Sequence, residues 1–268
     1  RYRSRMKARL MNGAGNAFIL VDARGEPSPV RISAGQIRNW AQRWAFDQLL
    51  VLEDSDRADA FMRIWNADGD EVGACGNGTR AAAWQMMENT GRQHAAIDTR
   101  AGILLAERKP GREISVDMGV PRLDWRDIPL ARPMDTVSLD FRTEIDGIRI
   151  ENPGAVNMGN PHAVFFVRDL ENLPVERLGR EVEFDPVFPE RVNAGFAQIH
   201  DPAHIRLRVW ERGAGLTPAC GTGACAALVA AHRRGLAGRS ARINADGGEL
   251  FDEWRESEVF HARNKTPQ

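Results

Sequence analysis

Short apolar runs alternate with polar positions along this chain, and turn-forming residues separate most of the runs. Apolar or alternating stretches predict strands at 18–21, 49–52, 61–65, 96–98, 103–105, 114–116, 164–167 and 205–209. Helices are predicted over Ala34–Trp44, over 79–89 with Gly91 as C-cap, near 175–178, and from the segment after Cys220 to about Gly235. Since strands outnumber helices, the pattern predicts an α+β fold whose mixed or antiparallel sheets wrap around a helix.

A nine-residue phrase occurs twice. Ala-Cys-Gly-Asn-Gly-Thr-Arg-Ala-Ala at 74–82 returns at 219–227 as Ala-Cys-Gly-Thr-Gly-Ala-Cys-Ala-Ala. Over the twenty aligned positions that begin at Arg63 and Arg208, eight are identical. A repeat of this kind predicts two related halves, each with one thiol at a glycine-rich turn.

The repeat spacing and the chain length together predict the domain organisation. We expect an N-terminal half over 1–120, a C-terminal half over 121–255, and a tail over 256–268 that returns to the N-terminal half. The segment 110–133 is rich in proline, glycine and charged residues, which is typical of a boundary.

Composition narrows the class of protein. A net charge of -1 gives no reason to expect a nucleic-acid or membrane partner, and no run of 18 apolar residues predicts a transmembrane helix. Three cysteines in 268 residues do not form a disulfide framework and fit a reducing compartment, so a cytoplasmic protein is expected. The basic arm at 1–5 lacks the apolar region of a secretory signal.

The two cysteine turns can be interpreted in several ways. A single free cysteine is most often a small buried hydrophobe. Here Cys75 and Cys220 each precede Gly-x-Gly at the predicted start of a helix, where unpaired N–H groups favour a thiolate and bind carboxylates. Each turn can therefore supply a base and an anion site together.

Two cofactor interpretations compete with this one. Gly76-x-Gly78-x-x-Ala81 and its second copy match a dinucleotide fingerprint, with Asp98 about twenty residues onward, but the fingerprint should follow its strand immediately. No C-x-x-C pattern suggests zinc. His200 and His204 flank Pro202 and are predicted in a surface loop, and Cys225 is expected to pack inside its helix.

A two-base epimerase agrees best with the repeat. Inverting a carbon requires removing its hydrogen from one face and delivering a proton to the other, and two chemically similar bases do this in both directions. The Gly-x-Gly amides would stabilise carboxylate charge as the carbanion develops. No cofactor and no metal are expected.

Several motifs together resemble the diaminopimelate epimerase family. They lie at 12–16, 46–48, 74–78, 158–162, 188–193, 211–215 and 219–223, within a resemblance that covers about Lys7 to Trp254. The resemblance implies two pseudo-symmetric halves, each a mixed or antiparallel barrel-like sheet around a central helix, with the site between them. It also implies interconversion of LL- and meso-2,6-diaminopimelate without pyridoxal phosphate, for lysine and peptidoglycan synthesis, by a homodimer.

The resemblance also implies residue roles. The catalytic residues would be Cys75 and Cys220 as the acid–base pair, assisted by His162 and Glu211. The residues expected to bind the reacting carboxylate through their amides are Gly76, Asn77, Gly221 and Thr222. Asn16 and Gln48 would position the reacting end of the substrate. Those expected at the distal amino-acid centre are Asn66, Asn160, Asn193 and Arg212.

The chain departs from the family pattern in a few places. Ala17 replaces an acidic residue, and Arg43 and Ala45 replace glycines ahead of Phe46, so the loop that carries Gln48 is expected to bend differently if those positions need positive φ. The polar tail also lacks the usual ending. The alternatives left open are a racemase of another amino acid on the same fold, an NAD-dependent oxidoreductase, and a non-catalytic binding relative.

Overall fold

A computed structural model describes residues 7–13, 15–27, 29–73, 75–110, 113–255 and 258–262, without the side chains of Lys7 and 258–262. The described residues up to Asp117 form one compact unit, and Met118–Ala262 form a second. The basic arm and residues 263–268 lie outside the described residues, as do Ala14 and Ala74 of the motifs. A return of the tail to the N-terminal half stays a prediction.

The N-terminal unit contains one curled sheet and two helices. Its strands are β1 (Lys7–Gly13), β2 (Asn16–Asp22), β3 (Gln48–Glu53), β4 (Ala60–Asn66), β5 (Glu71–Val72), β6 (His94–Thr99), β7 (Gly102–Lys109) and β8 (Glu113–Asp117), and its helices are α1 (Ala34–Trp44) and α2 (Gly76–Thr90). The sheet order is β1-β2-β3-β4-β6-β7-β8, with β5 beside β4. The pairs β2–β3 and β4–β6 are parallel, because α1 and α2 provide the crossovers.

The C-terminal unit repeats this plan. Its strands are β9 (Arg142–Ile145), β10 (Ile148–Glu151), β11 (Gly154–Asn157), β12 (Pro161–Phe166), β13 (Asn193–Asp201), β14 (His204–Glu211), β15 (Gly215–Thr217), β16 (Ser240–Ala245), β17 (Gly248–Arg255) and β18 (Glu258–Ala262), and its helices are α3 (Val175–Glu183) and α4 (Gly221–Arg233). The sheet order is β11-β12-β13-β14-β16-β17-β18, with β15 beside β14 and a separate β9–β10 hairpin.

The two units share one topology. Each unit has two pairs of parallel strands, and a helix connects the strands of each pair. The first connection contains a surface helix (α1 or α3), and the second contains a helix on the other side of the sheet (α2 or α4). Most of α2 and α4 is buried on all sides, including eleven of the fifteen residues of α2, as expected for a helix enclosed by its sheet. The predicted α+β fold of two pseudo-symmetric halves around central helices is confirmed.

Each predicted strand and helix corresponds to one in the structure, although the strand predicted at 164–167 ends at Phe166 and the helix predicted to about Gly235 ends at Arg233. Helix α1 has the predicted bounds, Gly91 ends α2 in the left-handed conformation, and α3 extends five residues beyond the predicted 175–178. The loop predicted for His200 and His204 was wrong, because β13 and β14 run almost to each other and leave only Pro202 and Ala203 as the turn. None of the helices in the described part of the chain has both the length and the apolar character needed to cross a bilayer.

Helix α1 shows how the chain tolerates its two missing glycines. Ser33 and Gln36 form a capping box at its start. Arg43 lies within the last helical turn, whereas Ala45 ends the helix at φ 49° and ψ 50°. The left-handed conformation is therefore kept without glycine, and the expected different bend is not needed at this position.

We expect Ala45→Gly to stabilise the protein by about 0.5–1 kcal/mol, because glycine relieves the left-handed strain while adding some freedom to the unfolded chain. Arg43→Gly is the matched control, and it should destabilise by about 1 kcal/mol since it removes a side chain from inside the helix. Urea unfolding of both variants measures the two free energies. Equal signs for the two substitutions would contradict the explanation.

Candidate active site

Cys75 lies at the start of the enclosed helix of the N-terminal unit. It is the N-cap of α2 in an extended conformation, and its Sγ accepts a hydrogen bond from the Gly78 amide at 3.3 Å. Its carbonyl accepts bonds from the Thr79 amide and hydroxyl at 2.8 and 2.9 Å. The thiol therefore occupies the position where a serine or aspartate side chain usually caps a helix.

Cys220 has the same arrangement in the C-terminal unit. It is the extended N-cap of α4, and its Sγ accepts from the Gly223 amide, again at 3.3 Å. The Thr222 hydroxyl lies 3.5 Å from the same sulfur. Cys220 is 6% exposed, whereas Cys75 is partly exposed, and neither forms a disulfide.

The third residue after each cysteine is a glycine in a tightly packed position. A Cβ on Gly78 would lie 3.0 Å from Leu50 and 3.4 Å from the Cys75 sulfur. A Cβ on Gly223 would lie 2.9 Å from Val209 and 3.2 Å from the Cys220 sulfur. A larger residue at the second glycine of Gly-x-Gly would therefore press against the sulfur and a neighbouring side chain.

Glu211 interacts with Cys220 at the end of β14. Its Oε1 accepts a hydrogen bond from the Thr217 hydroxyl at 2.6 Å, and its carboxyl group also accepts from Cys220. Although the residue as a whole is only half-buried, protein encloses its carboxyl group. This burial raises the pKa of Glu211 above its usual value, and the two hydrogen bonds oppose that rise. The predicted pairing of Glu211 with a thiol is present within this unit.

His162 lies on β12 with no solvent exposure. Its Nε2 is 3.0 Å from Asn160 Oδ1 and 3.2 Å from the Thr222 hydroxyl. Because Asn160 Oδ1 only accepts, the hydrogen is assigned to Nε2, which leaves Nδ1 as an acceptor. No described group pairs with that Nδ1. Burial, followed by the positive charge of Arg212, lowers the pKa of His162 from 6.5 to about 3, so the imidazole is neutral.

The neutral, buried His162 makes folding sensitive to acid. Its pKa is lower in the folded protein than in the unfolded chain, so stability is fully present above about pH 6.5 and is lost as the pH falls toward 3. We expect the parent to lose about 1.4 kcal/mol more than His162→Gln between about pH 7.5 and about pH 5.5. Urea unfolding at the two pH values measures this difference. His94→Gln, at an exposed position, is the control, and an equal loss in parent and His162→Gln would contradict the assignment.

Asn193 joins the histidine strand to Arg212. It lies opposite His162 in the parallel β12–β13 register, and its Nδ2 donates to the Pro161 carbonyl at 2.8 Å. Its Oδ1 accepts from the Arg212 amide at 2.8 Å. The Arg212 guanidinium is exposed and donates to the Glu190 carbonyl at 3.0 Å. Asn160, His162, Asn193, Glu211, Arg212, Cys220 and Thr222 are thus linked to one another within a single unit, in two chains of contacts.

The N-terminal unit brings other predicted residues together. Gln48 and Asn66 are opposite each other in the β3–β4 register, and Gln48 Nε2 donates to Asn66 Oδ1 at 2.9 Å. No described group pairs with the buried Gln48 Oε1. Asn77 is buried in the first turn of α2 and accepts from Arg80, while buried Asn16 begins β2.

Ala17, which replaces the usual acidic residue, contacts a carboxylate through its backbone. The Ala17 amide donates to Asp47 Oδ2 at 2.7 Å, and the Asp47 amide donates back to the Ala17 carbonyl at 2.8 Å. Asp47 therefore places a negative charge against the backbone of Ala17, in the same motif as Gln48.

The features behind the cofactor interpretations have structural roles. Arg57 forms a bidentate ion pair with Asp98, at 2.6 and 3.1 Å. The strand β5 separates β4 from Gly76, so neither turn follows its strand as a dinucleotide fingerprint does. Cys225 is fully buried in α4 as predicted, and burial together with Asp252 raises its pKa well above the usual value. Across the described residues, no group of three His, Cys, Asp or Glu side chains is placed to hold a metal ion.

Comparison with known proteins identifies the family. A family model described as diaminopimelate epimerase matches residues 9–123 and 154–262. A diaminopimelate epimerase from Phenylobacterium zucineum (strain HLK1) is 55% identical over 248 residues, which cover 91% of this chain and 89% of that protein. Another from Acidiphilium cryptum (strain JF-5) is 52% identical, covering 92% and 88%. The chain belongs to the diaminopimelate epimerase family. The resemblance inferred from the motifs is therefore confirmed.

Solved structures share the fold of this diaminopimelate epimerase family member at low sequence identity. A hydroxyproline epimerase from Agrobacterium vitis, with bound trans-4-hydroxy-L-proline, has a TM-score of 0.66 at 16% identity and covers all of this chain and 91% of its own. A PhzF-family phenazine biosynthesis protein from Bacillus anthracis has a TM-score of 0.65 at 14% identity, with coverage of 97% and 96%. At such identities the likeness shows the fold alone.

Some residues around the site could not be found from the motifs. Nothing in the sequence indicates that Thr217, six residues after Glu211, donates to the Glu211 carboxylate. The motif around Thr222 predicted a role for the Thr222 amide only, whereas the Thr222 hydroxyl contacts His162. Arg80 is buried beside Asn77 although arginine is usually exposed. Glu183 is also buried, directly after the apolar spacing of Leu178 and Val182.

Proposed function

We propose that this chain epimerises one α-carbon of 2,6-diaminopimelate, interconverting the LL and meso isomers with Cys75 and Cys220 as the two bases and without pyridoxal phosphate. The observation that carries the proposal is the duplicated thiol cap. Each sulfur receives an amide hydrogen bond of 3.3 Å at the first turn of an enclosed helix. Two bases of the same kind suit a reaction that must run in both directions. Membership of the diaminopimelate epimerase family supports the substrate.

Proton transfer balances in either direction. One thiolate removes the α-hydrogen as a proton and becomes a thiol, leaving a carbanion next to the carboxylate. The other thiol then donates its proton to the opposite face of the same carbon and becomes a thiolate. After one inversion the two sulfurs have exchanged states, which are the states that the reverse reaction needs. Another turnover in the same direction begins after the thiol has lost its proton and the thiolate has regained one.

Glu211 supports the change of state at Cys220. Its carboxylate accepts from the thiol while Thr217 holds the carboxylate in place. Because burial raises the pKa of Glu211, its affinity for a proton is closer to that of a thiol than an exposed carboxylate's would be. Glu211 therefore helps to take and return the proton of Cys220.

Since Glu211 pairs with Cys220, the family resemblance leaves the other thiol, Cys75, for His162 to assist. The neutral imidazole keeps its hydrogen on Nε2, facing Asn160, so Nδ1 is the atom that can accept a proton. A pKa of about 3 keeps the ring neutral before the reaction and makes the proton easy to return. The alternative structural role, a satisfied core histidine, leaves the buried Nδ1 unexplained.

The helix starts suit the reacting carboxylate. The first amides of an α-helix have no intrahelical acceptor and carry partial positive charge. We assign Gly76 and Asn77 in one unit, and Gly221 and Thr222 in the other, to the oxygens on which charge develops. Asn16 and Gln48 position the reacting end, where the buried Gln48 Oε1 suits an ammonium group.

The remaining polar residues are assigned to the distal amino-acid centre. Arg212 presents an exposed guanidinium that can bind a carboxylate through two hydrogen bonds. Asn193 holds the Arg212 backbone, and Asn160 and Asn66 each accept one bond from inside the protein while keeping an amide group to donate. A small cyclic amino acid would leave these groups without a partner, which disfavours a proline-type substrate.

The test is incubation of LL-2,6-diaminopimelate with the protein in D₂O. Chiral chromatography should reveal the meso isomer, and mass spectrometry should find deuterium at the inverted α-carbon. Parallel incubations with proline and hydroxyproline test a racemase of another amino acid, and nicotinamide absorbance tests an oxidoreductase. Binding of diaminopimelate without isomerisation or exchange would instead identify a non-catalytic relative.

The homodimer that the family resemblance implies and the cytoplasmic location that the cysteine content suggests both stay predictions. The expected homodimer is tested by sedimentation equilibrium of the purified chain, in which a monomer mass would contradict it. A cytoplasmic location is tested by cell fractionation.

A further inference from the structure

Glu183 is a buried carboxylate in an unfavourable place. It is 2% exposed and is the last residue of α3, where the partial negative charge of the helix end opposes an acidic side chain. Basic residues are the favourable choice at this end of a helix. Its presence therefore calls for specific partners nearby.

Those partners lie on both sides of the Glu211–Arg212 pair. Trp210 Nε1 donates to Glu183 Oε2 at 2.7 Å, and the Gly213 amide donates to Glu183 Oε1 at 3.0 Å. Trp210 immediately precedes Glu211, and Gly213 immediately follows Arg212. One carboxylate thus holds the Trp210 side chain before, and the Gly213 backbone after, the two residues assigned to the thiol and to the distal carboxylate.

The approach of α3 to Trp210 depends on a glycine. Gly179 lies one helical turn before Glu183 and so shares its face. A Cβ on Gly179 would lie 2.4 Å from the Trp210 Cβ. Without that side chain, α3 comes close enough to β14 for the Glu183 carboxylate to reach the indole nitrogen.

The same carboxylate is connected to the segment that holds Arg212. Arg191 donates to Glu183 Oε1 at 3.3 Å, and Arg191 has a positive φ of 61°. Its neighbour Glu190 accepts from the Arg212 guanidinium, and Asn193 accepts from the Arg212 amide. Glu183 therefore contacts two segments: the one that carries Arg212, and the one around Arg191 that accepts the hydrogen bonds of Arg212.

We propose that Glu183 is a positioning residue, which fixes the Trp210–Gly213 segment so that Arg212 is held ready for the distal carboxylate of the substrate. This inference rests on the proposed function for its substrate, but the fixing of the segment does not. The two donors face different oxygens of Glu183, and glutamine replaces one of these oxygens with an NH₂ group that cannot accept, so one of the two hydrogen bonds is lost.

The experiment compares Glu183→Gln with Glu53→Gln. Glu53 ends β3 of the other unit and is equally buried. Its carboxylate accepts hydrogen bonds from the Val30 backbone amide and from the Arg63 side chain. For Glu183→Gln we expect KM for diaminopimelate to rise about tenfold with a much smaller change in kcat, since about 1.4 kcal/mol of substrate binding is lost. Glu53→Gln should lower the melting temperature and leave KM as in the parent.

Hydrogen exchange tests the positioning without any substrate. In Glu183→Gln the amides of the 210–213 segment should exchange faster than in the parent, whereas they should be unchanged in Glu53→Gln. Unchanged exchange of these amides in Glu183→Gln would overturn the proposal even if activity fell. Faster exchange together with a parent that fails to epimerise diaminopimelate would contradict the proposed function and not the positioning.

Trp210→Phe provides a second route. It removes the donor to Oε2 but keeps the carboxylate, so we expect a smaller rise in KM than for Glu183→Gln. In the double variant the amide group of the introduced glutamine can face the phenyl ring, and KM should be lower than in Glu183→Gln alone. If Glu183→Gln does not fold and Trp210→Phe leaves both KM and exchange at Gly213 unchanged, the proposal is wrong.

Discussion

Replacing either Cys75 or Cys220 with alanine should lower the rate of epimerisation by roughly 10²–10⁴-fold, because each substitution removes one of the two groups that transfer a proton. The two losses should be similar in size, since inversion needs both a base and an acid in every turnover. The folding cost should be modest, because each variant loses one weak cap to sulfur.

The measurement is the initial rate of formation of meso-diaminopimelate from the LL isomer, together with deuterium in the product formed in D₂O. Cys225→Ser is the control, because Cys225 is buried in α4 beside Asp252 and outside the assigned machinery, and serine keeps a donor for that carboxylate. It should retain essentially the parental rate. If either alanine variant retained the parental rate, a one-base mechanism would have to replace the two-base one.

Glu211→Gln should lower kcat by roughly 10²-fold, and it should also weaken the dependence of stability on pH. The pKa of Glu211 is raised in the folded protein, so the folded state holds this proton more tightly than the unfolded chain does. Its contribution to stability is fully present below the unfolded pKa and is lost as the pH rises through the folded one. At neutral pH the buried carboxyl group therefore contributes less to stability than it does in acid, and a neutral amide has no such loss.

Urea unfolding and steady-state kinetics over the same pH range test both parts. In Glu211→Gln the free energy of unfolding should fall less between acid and neutral pH than it does in the parent. The plot of kcat against pH should also lose one of the ionisations on its acidic side. Glu211→Asp keeps the charge and should recover part of the rate. A variant that is both less stable than the parent and fully active would sink the assignment, since Glu211 would then be only a structural carboxylate.

The sequence was sufficient for much of the fold and for both thiol sites. Helix α1 was predicted with its observed bounds from the pattern along the chain, and the repeat located Cys75 and Cys220 at equivalent helix starts. Such features depend on neighbours in the chain, which the sequence displays directly.

Contacts between distant segments were beyond the sequence. Glu183 resembles a solvent-exposed residue that follows an apolar stripe, and only the packing of α3 on β14 brings it to Trp210. His200 and His204 were misplaced because Pro202 suggested a loop, whereas the strands tolerate a turn of two residues. Ala45 was also beyond the sequence, because it has a left-handed backbone conformation although it is not glycine, the residue type that usually indicates one.

The shared topology of the two units has a consequence for the ancestry of the chain. Each unit contains the full set of elements that build one thiol cap, from the surface helix to the enclosed helix and the strands between them. A chain of half this length would carry one base, and an inversion needs two. The simplest origin is a half-length gene whose product supplied two bases only as a pair of identical copies. Fusion into a single gene then freed the copies to differ, and the C-terminal unit now has Glu211 and Arg212 where the N-terminal unit has Asn66 and Ala67.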